Sequence, residues 1–444
     1  MNRRNPFPFR TEAPPRLRNW PAQSIAAGVF AALSLATAAA APAGAAQNEV
    51  PIAQYWMDLA TFNLMGMDEM PDMQGIPGGL LGGMMGRSSA MGRDGRHARG
   101  VGNFGQTKVQ TIGRQIDIAL HTRERPAGTS AVQQVPGGAD LGAEPLHLVT
   151  PPREGGQRGT DEPDYPEPPR GRILFYWGCS ETVKPGQPRV MDMANFSASD
   201  YAGFMQGRSV RDRGARAEPG HAIWPNEREN SRIQRQSTLV GEHAVAGEGV
   251  PDGLRFRIDA AHDFMPSLQV SSSGDPRQSV RVRWQPLASA RAYLVTAISG
   301  GMDGDSVPEM VIWSSSEPPE SGMGLLDYAS NANIDQWLRE RVLLPPTQSE
   351  CAIPEGIFAG REGTMLQTIA YGNELNLVHP PRPTDPKAVW NPQWSVRVRN
   401  KSLAMNLLGE DPMQMPDGED ERGSAPARQE KTGMRRLFRG ILGR

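Results

Sequence analysis

Val280-Arg281-Val282-Arg283-Trp284 decides the fold class, because its large apolar side chains fall on every second position and its arginines on the positions between. A strand turns successive side chains to opposite faces, so a period of two describes a sheet with one dry and one wet face. The pattern recurs outward in both directions. Leu254-Arg255-Phe256-Arg257-Ile258 and Ile116-Asp117-Ile118-Ala119-Leu120-His121 alternate upstream, and Trp394-Ser395-Val396-Arg397-Val398-Arg399 alternates downstream. Leu146 to Val149, Tyr293 to Ile298, Met310 to Trp313, Met365 to Tyr371 and Leu375 to Val378 add apolar runs of strand length. Ile173-Leu174-Phe175-Tyr176-Trp177 is bulky throughout and predicts a central strand covered on both sides. The expectation is a mainly β protein of antiparallel, sandwich-like domains with one or two short helices.

Trp284 and Tyr293 flank a short turn, Gln285 to Ala290, that contains Pro286. This arrangement resembles the second and third strands of a fibronectin type III-like β-sandwich, over about residues 278 to 316 of the 444. The resemblance implies a module that binds or spaces other molecules. Fold likeness alone does not carry a function.

One helix is legible: Asn333 is placed to cap it, Gln336 occupies its third position, and Ile334, Trp337, Leu338 and Arg341 share a face until Pro345 and Pro346 stop the chain. Residues 47–64 hold a short amphipathic segment in which Tyr55, Leu59 and Phe62 fall on one helical face and Asp58 on another. Residues 65–105 are rich in glycine and methionine, a composition that predicts a flexible linker or loop. Residues 106–155 read as a small β unit, and 156–170, dense in proline, glycine and acid, as a linker. Residues 171–408 form the main β region, of one or two sandwich-like domains; within it Ser197 to Gly249 is polar and arginine-rich and reads as loops decorating a sheet.

Both termini carry their own signals. Arg3, Arg4, Arg10, Arg16 and Arg18 precede an uncharged run from Ile25 to Ala41, and Ala43-Gly44-Ala45-Ala46 follows. That order predicts a signal peptide over residues 1–46 and an exported chain in a periplasm, on a cell surface or in the medium. An uncleaved membrane anchor is the alternative. At the other end an acidic spacer, 409–430, leads into the basic segment 431–444. There Met434, Leu437, Phe438, Ile441 and Leu442 follow a helical stripe, with Arg435, Arg436 and Arg439 outside it. Such an amphipathic tail fits a membrane surface or a protein partner; docking onto its own domain and disorder are the alternatives.

Removing residues 1–46 takes away five arginines and one glutamate, so 47 basic and 49 acidic residues become 42 and 48, a net charge of about -6. That balance excludes nucleic acid as the main partner, which demands a concentrated basic surface. Cys179 and Cys351 are the two cysteines; in an oxidising compartment they predict a disulfide, with two buried thiols or a nucleophile as alternatives. No cofactor or catalytic motif is present, so an enzyme is the less favoured class. If the chain is a hydrolase acting on envelope material, the candidates sit at strand ends: Cys179 and Glu181, with His221 or His262 as base. Copper is the one metal the sequence raises, through the soft thioethers of Met65, Met67, Met70 and Met73 with His97. The leading expectation is a non-catalytic exported platform for binding or structure.

Overall fold

The computed structural model describes residues 50–69, 104–108, 111–151, 171–192, 207–210, 214–303, 307–361, 363–385 and 387–409, and every structural statement below concerns these. Residues 1–46, the linker 156–170, the acidic residues after 409 and the tail residues Met434, Arg435, Arg436, Leu437, Phe438, Arg439, Ile441 and Leu442 lie outside them, as do Met70, Met73 and His97.

Sixteen strands are described: β1 (Ala53–Leu64), β2 (Gly113–Thr122), β3 (Ser130–Gln134), β4 (Leu146–Val149), β5 (Arg172–Trp177), β6 (Arg189–Asp192), β7 (Ala222–Trp224), β8 (Gly241–Gly247), β9 (Arg255–Ile258), β10 (Val270–Ser273), β11 (Val280–Trp284), β12 (Ala292–Asp303), β13 (Val307–Ser314), β14 (Glu350–Ile353), β15 (Met365–His379) and β16 (Trp394–Leu407). Thirteen form one sheet in the order β6-β5-β13-β12-β15-β16-β1-β2-β7-β4-β3-β8-β9, and β10-β11-β14 form a second. Pairing is antiparallel except for β1 with β16 and β13 with β5. The one α-helix among the described residues is α1 (Asn331–Arg339). No described helix is long and apolar enough to cross a membrane.

Alternation explains how the sheets meet. Val280, Val282 and Trp284 of β11, with Cys351 and Ile353 of β14, enter one core with Tyr293, Val295, Val311, Trp313 and Leu366 of the large sheet. Burying each such side chain contributes roughly 1.5–3 kcal/mol. The Trp284 and Tyr293 rings lie 5.4 Å apart, each on a different sheet. Arg281 and Arg283 face solvent, paired with Glu181 at 3.2 Å and Glu350 at 3.3 Å. A second core gathers Tyr55, Met57, Leu59, Ile118, Leu148, Phe256 and Val398. A third, on the opposite face of β1 and β16, buries Phe62, Leu294, Ile369 and Leu403 beneath Ile334 and Trp337 of α1. Cys179, just after β5, is disulfide-bonded to Cys351 of β14, so a covalent link joins the two sheets.

Several local expectations are corrected. Ala53–Leu64 is a strand, because its backbone is hydrogen-bonded on both sides, to β2 and to β16. Tyr55 and Leu59 do share a face, but Phe62 belongs to the other core. Helix α1 begins earlier than Asn333: Ser330 is the cap and its Oγ accepts from the Asn333 N–H at 3.2 Å. Arg341 has already left the helix, at φ 57°. Strand β5 lies next to the edge, where β6 leaves Leu174 and Tyr176 half-buried. The polar stretch 197–249 contributes two strands, and Ala222, Ile223 and Trp224 are wholly buried.

Candidate functional site

Register lines up four layers on one face of β1, β2 and β16. Trp56 lies between Ala119 and Arg397, Asp58 between Asp117 and Arg399, Ala60 between Gln115 and Lys401, and Phe62 between Gly113 and Leu403. Each layer is two residues, roughly 6.6 Å, from the next. The Phe62 layer is apolar and covered by α1. The two above it are charged and buried, and the Trp56 layer is half-exposed.

In the charged layers Arg399 donates from Nε and Nη2 to the two oxygens of Asp58, each at 2.7 Å. The Ala215 N–H donates to the same carboxylate at 2.9 Å. Gly214 passes so close that a Cβ there would lie 1.7 Å from Arg399 Nη2 and 2.1 Å from Asp58 Oδ2, which only glycine avoids. Asp117 accepts from the Gly105 N–H at 2.7 Å, from the Thr107 N–H at 3.2 Å and from the Thr107 hydroxyl. Lys401 Nζ donates to Asp327 at 2.9 Å. Arg399 and Lys401 both lie over the Tyr328 ring, 4.5 and 4.2 Å from its centre, a cation–π arrangement.

Two of the three carboxylates are therefore paired with cations, Asp58 with Arg399 and Asp327 with Lys401, while Asp117 is held by neutral donors. Burial raises Asp117 to about 6, and Asp58 adds to the rise while the hydrogen bonds from Thr107 and Gly105 oppose it. Burial alone would raise Asp327 too, but the charge and hydrogen bond of Lys401 prevail and hold it at about 2. Burial works against the Arg399 cation, and Asp58 more than restores it. Asp58 and Asp117 have 0% exposure. These layers lock strands and covering segments together, with their charges directed at one another.

The outer layer differs. Arg397 stacks on Trp56 with 4.5 Å between guanidinium and ring centre, donates to Asn376 at 2.6 Å and lies 3.8 Å from Glu374. Trp56 and Arg397 are half-buried and Asn376 is exposed. Gln54, on the same face of β1, and His121 opposite it extend this layer. The result is an aromatic face beside a positioned cation on rigid strands, a recurrent combination in recognition surfaces.

The residues read from sequence as catalytic candidates fall elsewhere. Cys179 has no free thiol. Glu181 is exposed and paired with Arg281. His262 hydrogen-bonds Asp259 at 2.7 Å, and the His221 ring lies tilted beside that of His121. Among the described residues no hydrogen bond, ion pair or ring contact joins any two of these four. Met67 is buried in the core under α1, with Met65 half-buried against it. Asp58, Asp117 and Lys401 are not among the site residues that the sequence predicts, although one acid inside the apolar runs Trp56-Met57-Asp58-Leu59 and Ile116-Asp117-Ile118 is a visible signal. No family model, no curated protein and no solved structure matches the chain.

Proposed function

We propose that the chain is a non-catalytic exported protein that serves as a binding or structural platform, with the Trp56 layer as its contact face. The observation that carries this reading is the half-exposed Trp56–Arg397 stack, seated directly on the buried Asp58–Arg399 layer. A contact group held by strands and a buried ion pair loses little freedom on binding, which favours affinity. The disulfide supports an oxidising compartment and hence export. The packing of β10-β11-β14 on β13-β12-β15-β16 supports the fibronectin type III-like sandwich reading. In this reading residues 431–444 supply a second contact, to a membrane surface or a protein partner.

The test places a photo-reactive maleimide on Gln54→Cys, on the contact face, and on Val389→Cys, which is 92% exposed elsewhere. Illumination in cells should give an adduct with an envelope component from position 54 and none from position 389. Equal adducts, or none from position 54, would contradict the reading.

A second reading, a hydrolase acting on envelope material, draws on Asp58 opposite Asp117, since carboxylates with divergent environments divide acid and base roles. It requires segments 104–108 and 214–215 to lift away, because both carboxylates lie beneath them. The platform needs no such opening and is preferred.

A further inference from the structure

We propose that His121 and His221 form a binding site for a divalent transition-metal ion of the imidazole-preferring class, Cu²⁺, Ni²⁺ or Zn²⁺. The antiparallel register of β2 and β7 runs Ile118 with Trp224, Ala119 with Ile223 and Leu120 with Ala222. One further step sets His121 opposite His221. Residues directly opposite in an antiparallel pair turn their side chains to the same face, with Cβ atoms roughly 4.5–5.5 Å apart. The two rings accordingly lie 5.0 Å apart and 37° from parallel. Two imidazole rings are thus brought together by backbone pairing, before any ion arrives.

One feature of the pair points to a cation as occupant. His221 Nδ1 is buried without a hydrogen-bond partner, an unsatisfied imidazole nitrogen that a metal ion would satisfy. Neutral imidazole is the form that ligates metals. Among the described residues no third His, Cys, Asp or Glu completes a cluster.

The experiment is calorimetric titration of the full chain, without a histidine tag and stripped of metal, with Zn²⁺ at pH 7.5, repeated with Cu²⁺ and Ni²⁺. One equivalent should bind saturably. His121→Asn and His221→Asn should each weaken it at least tenfold while His97→Asn leaves it unchanged. If His221→Asn fails to fold, the half-exposed His121→Asn decides alone, with Cu²⁺ electron paramagnetic resonance counting nitrogen ligands. Absence of saturable binding by the unaltered chain, or equal binding by the His121→Asn variant, would overturn the proposal.

Discussion

Asp58 and Arg399 face each other across the parallel pairing of β1 and β16, joined by two hydrogen bonds of 2.7 Å, with side chains 0% and 5% exposed. They are separated by 341 positions in the chain and tie the first described strand to the last. Slipping either strand by one residue would carry its charge to the opposite, apolar face, so the pair specifies register as well as contact.

Breaking one half of the pair leaves the other charge buried alone. Asp58→Asn and Arg399→Leu should each lower the unfolding free energy by about 3–5 kcal/mol, and the double variant Asp58→Leu, Arg399→Met should recover most of that loss. Urea unfolding of the three variants checks this. A double variant as damaged as either single one would show that the ion pair itself supplies the stability.

The glycine over the pair should be equally intolerant. Gly214→Ala forces its Cβ into Arg399 and Asp58 and should cost about 1–3 kcal/mol, as overpacking does. Gly300→Ala, with nothing within 4 Å of the added carbon, should leave the midpoint unchanged. Thermal unfolding compares the two.

Asp117 makes stability depend on pH. Its folded pKa of about 6 exceeds the ordinary 3.8, so the folded chain holds the proton more tightly than the unfolded one. The contribution is complete below pH 3.8 and is lost as pH rises through 6. Asp327 acts oppositely, but its loss comes only as pH falls through 2. His221 and His243, held low mainly by burial, contribute equally to the chain and its variant and cancel. Relative to Asp117→Asn, the unaltered chain should lose about 2 kcal/mol between pH 4.5 and pH 7.5. Parallel stability curves would refute the assignment.

Strand content was legible wherever one face is wet. Arg281 and Arg283 alternate with Val280, Val282 and Trp284, and the exposure follows that alternation. Legibility ended where both faces are dry. Strand β1 is buried on both sides over most of its length, so its pattern fits a helix as readily as a strand. Arg399 sits in the same alternating run as Arg397, yet it is buried, because its partner Asp58 lies more than 300 residues away and no local pattern announces it. The two cysteines were readable because they were the only pair.

The Cys179–Cys351 bond closes a separation of 172 residues. On the chain-entropy model its loss destabilises by up to about 5 kcal/mol. Denaturant midpoints with and without reductant should separate accordingly, and Cys351→Ser should match the reduced chain. Coincident midpoints would contradict this.

The platform reading rests on Trp56 and Arg397 as a contact pair, and fractionation of cells carrying the double variant Trp56→Ala, Arg397→Ala tests it most directly. The account predicts that the variant keeps the thermal midpoint to within a few degrees and moves from the envelope-associated fraction to the freely soluble one. Unchanged association of a folded double variant would contradict it.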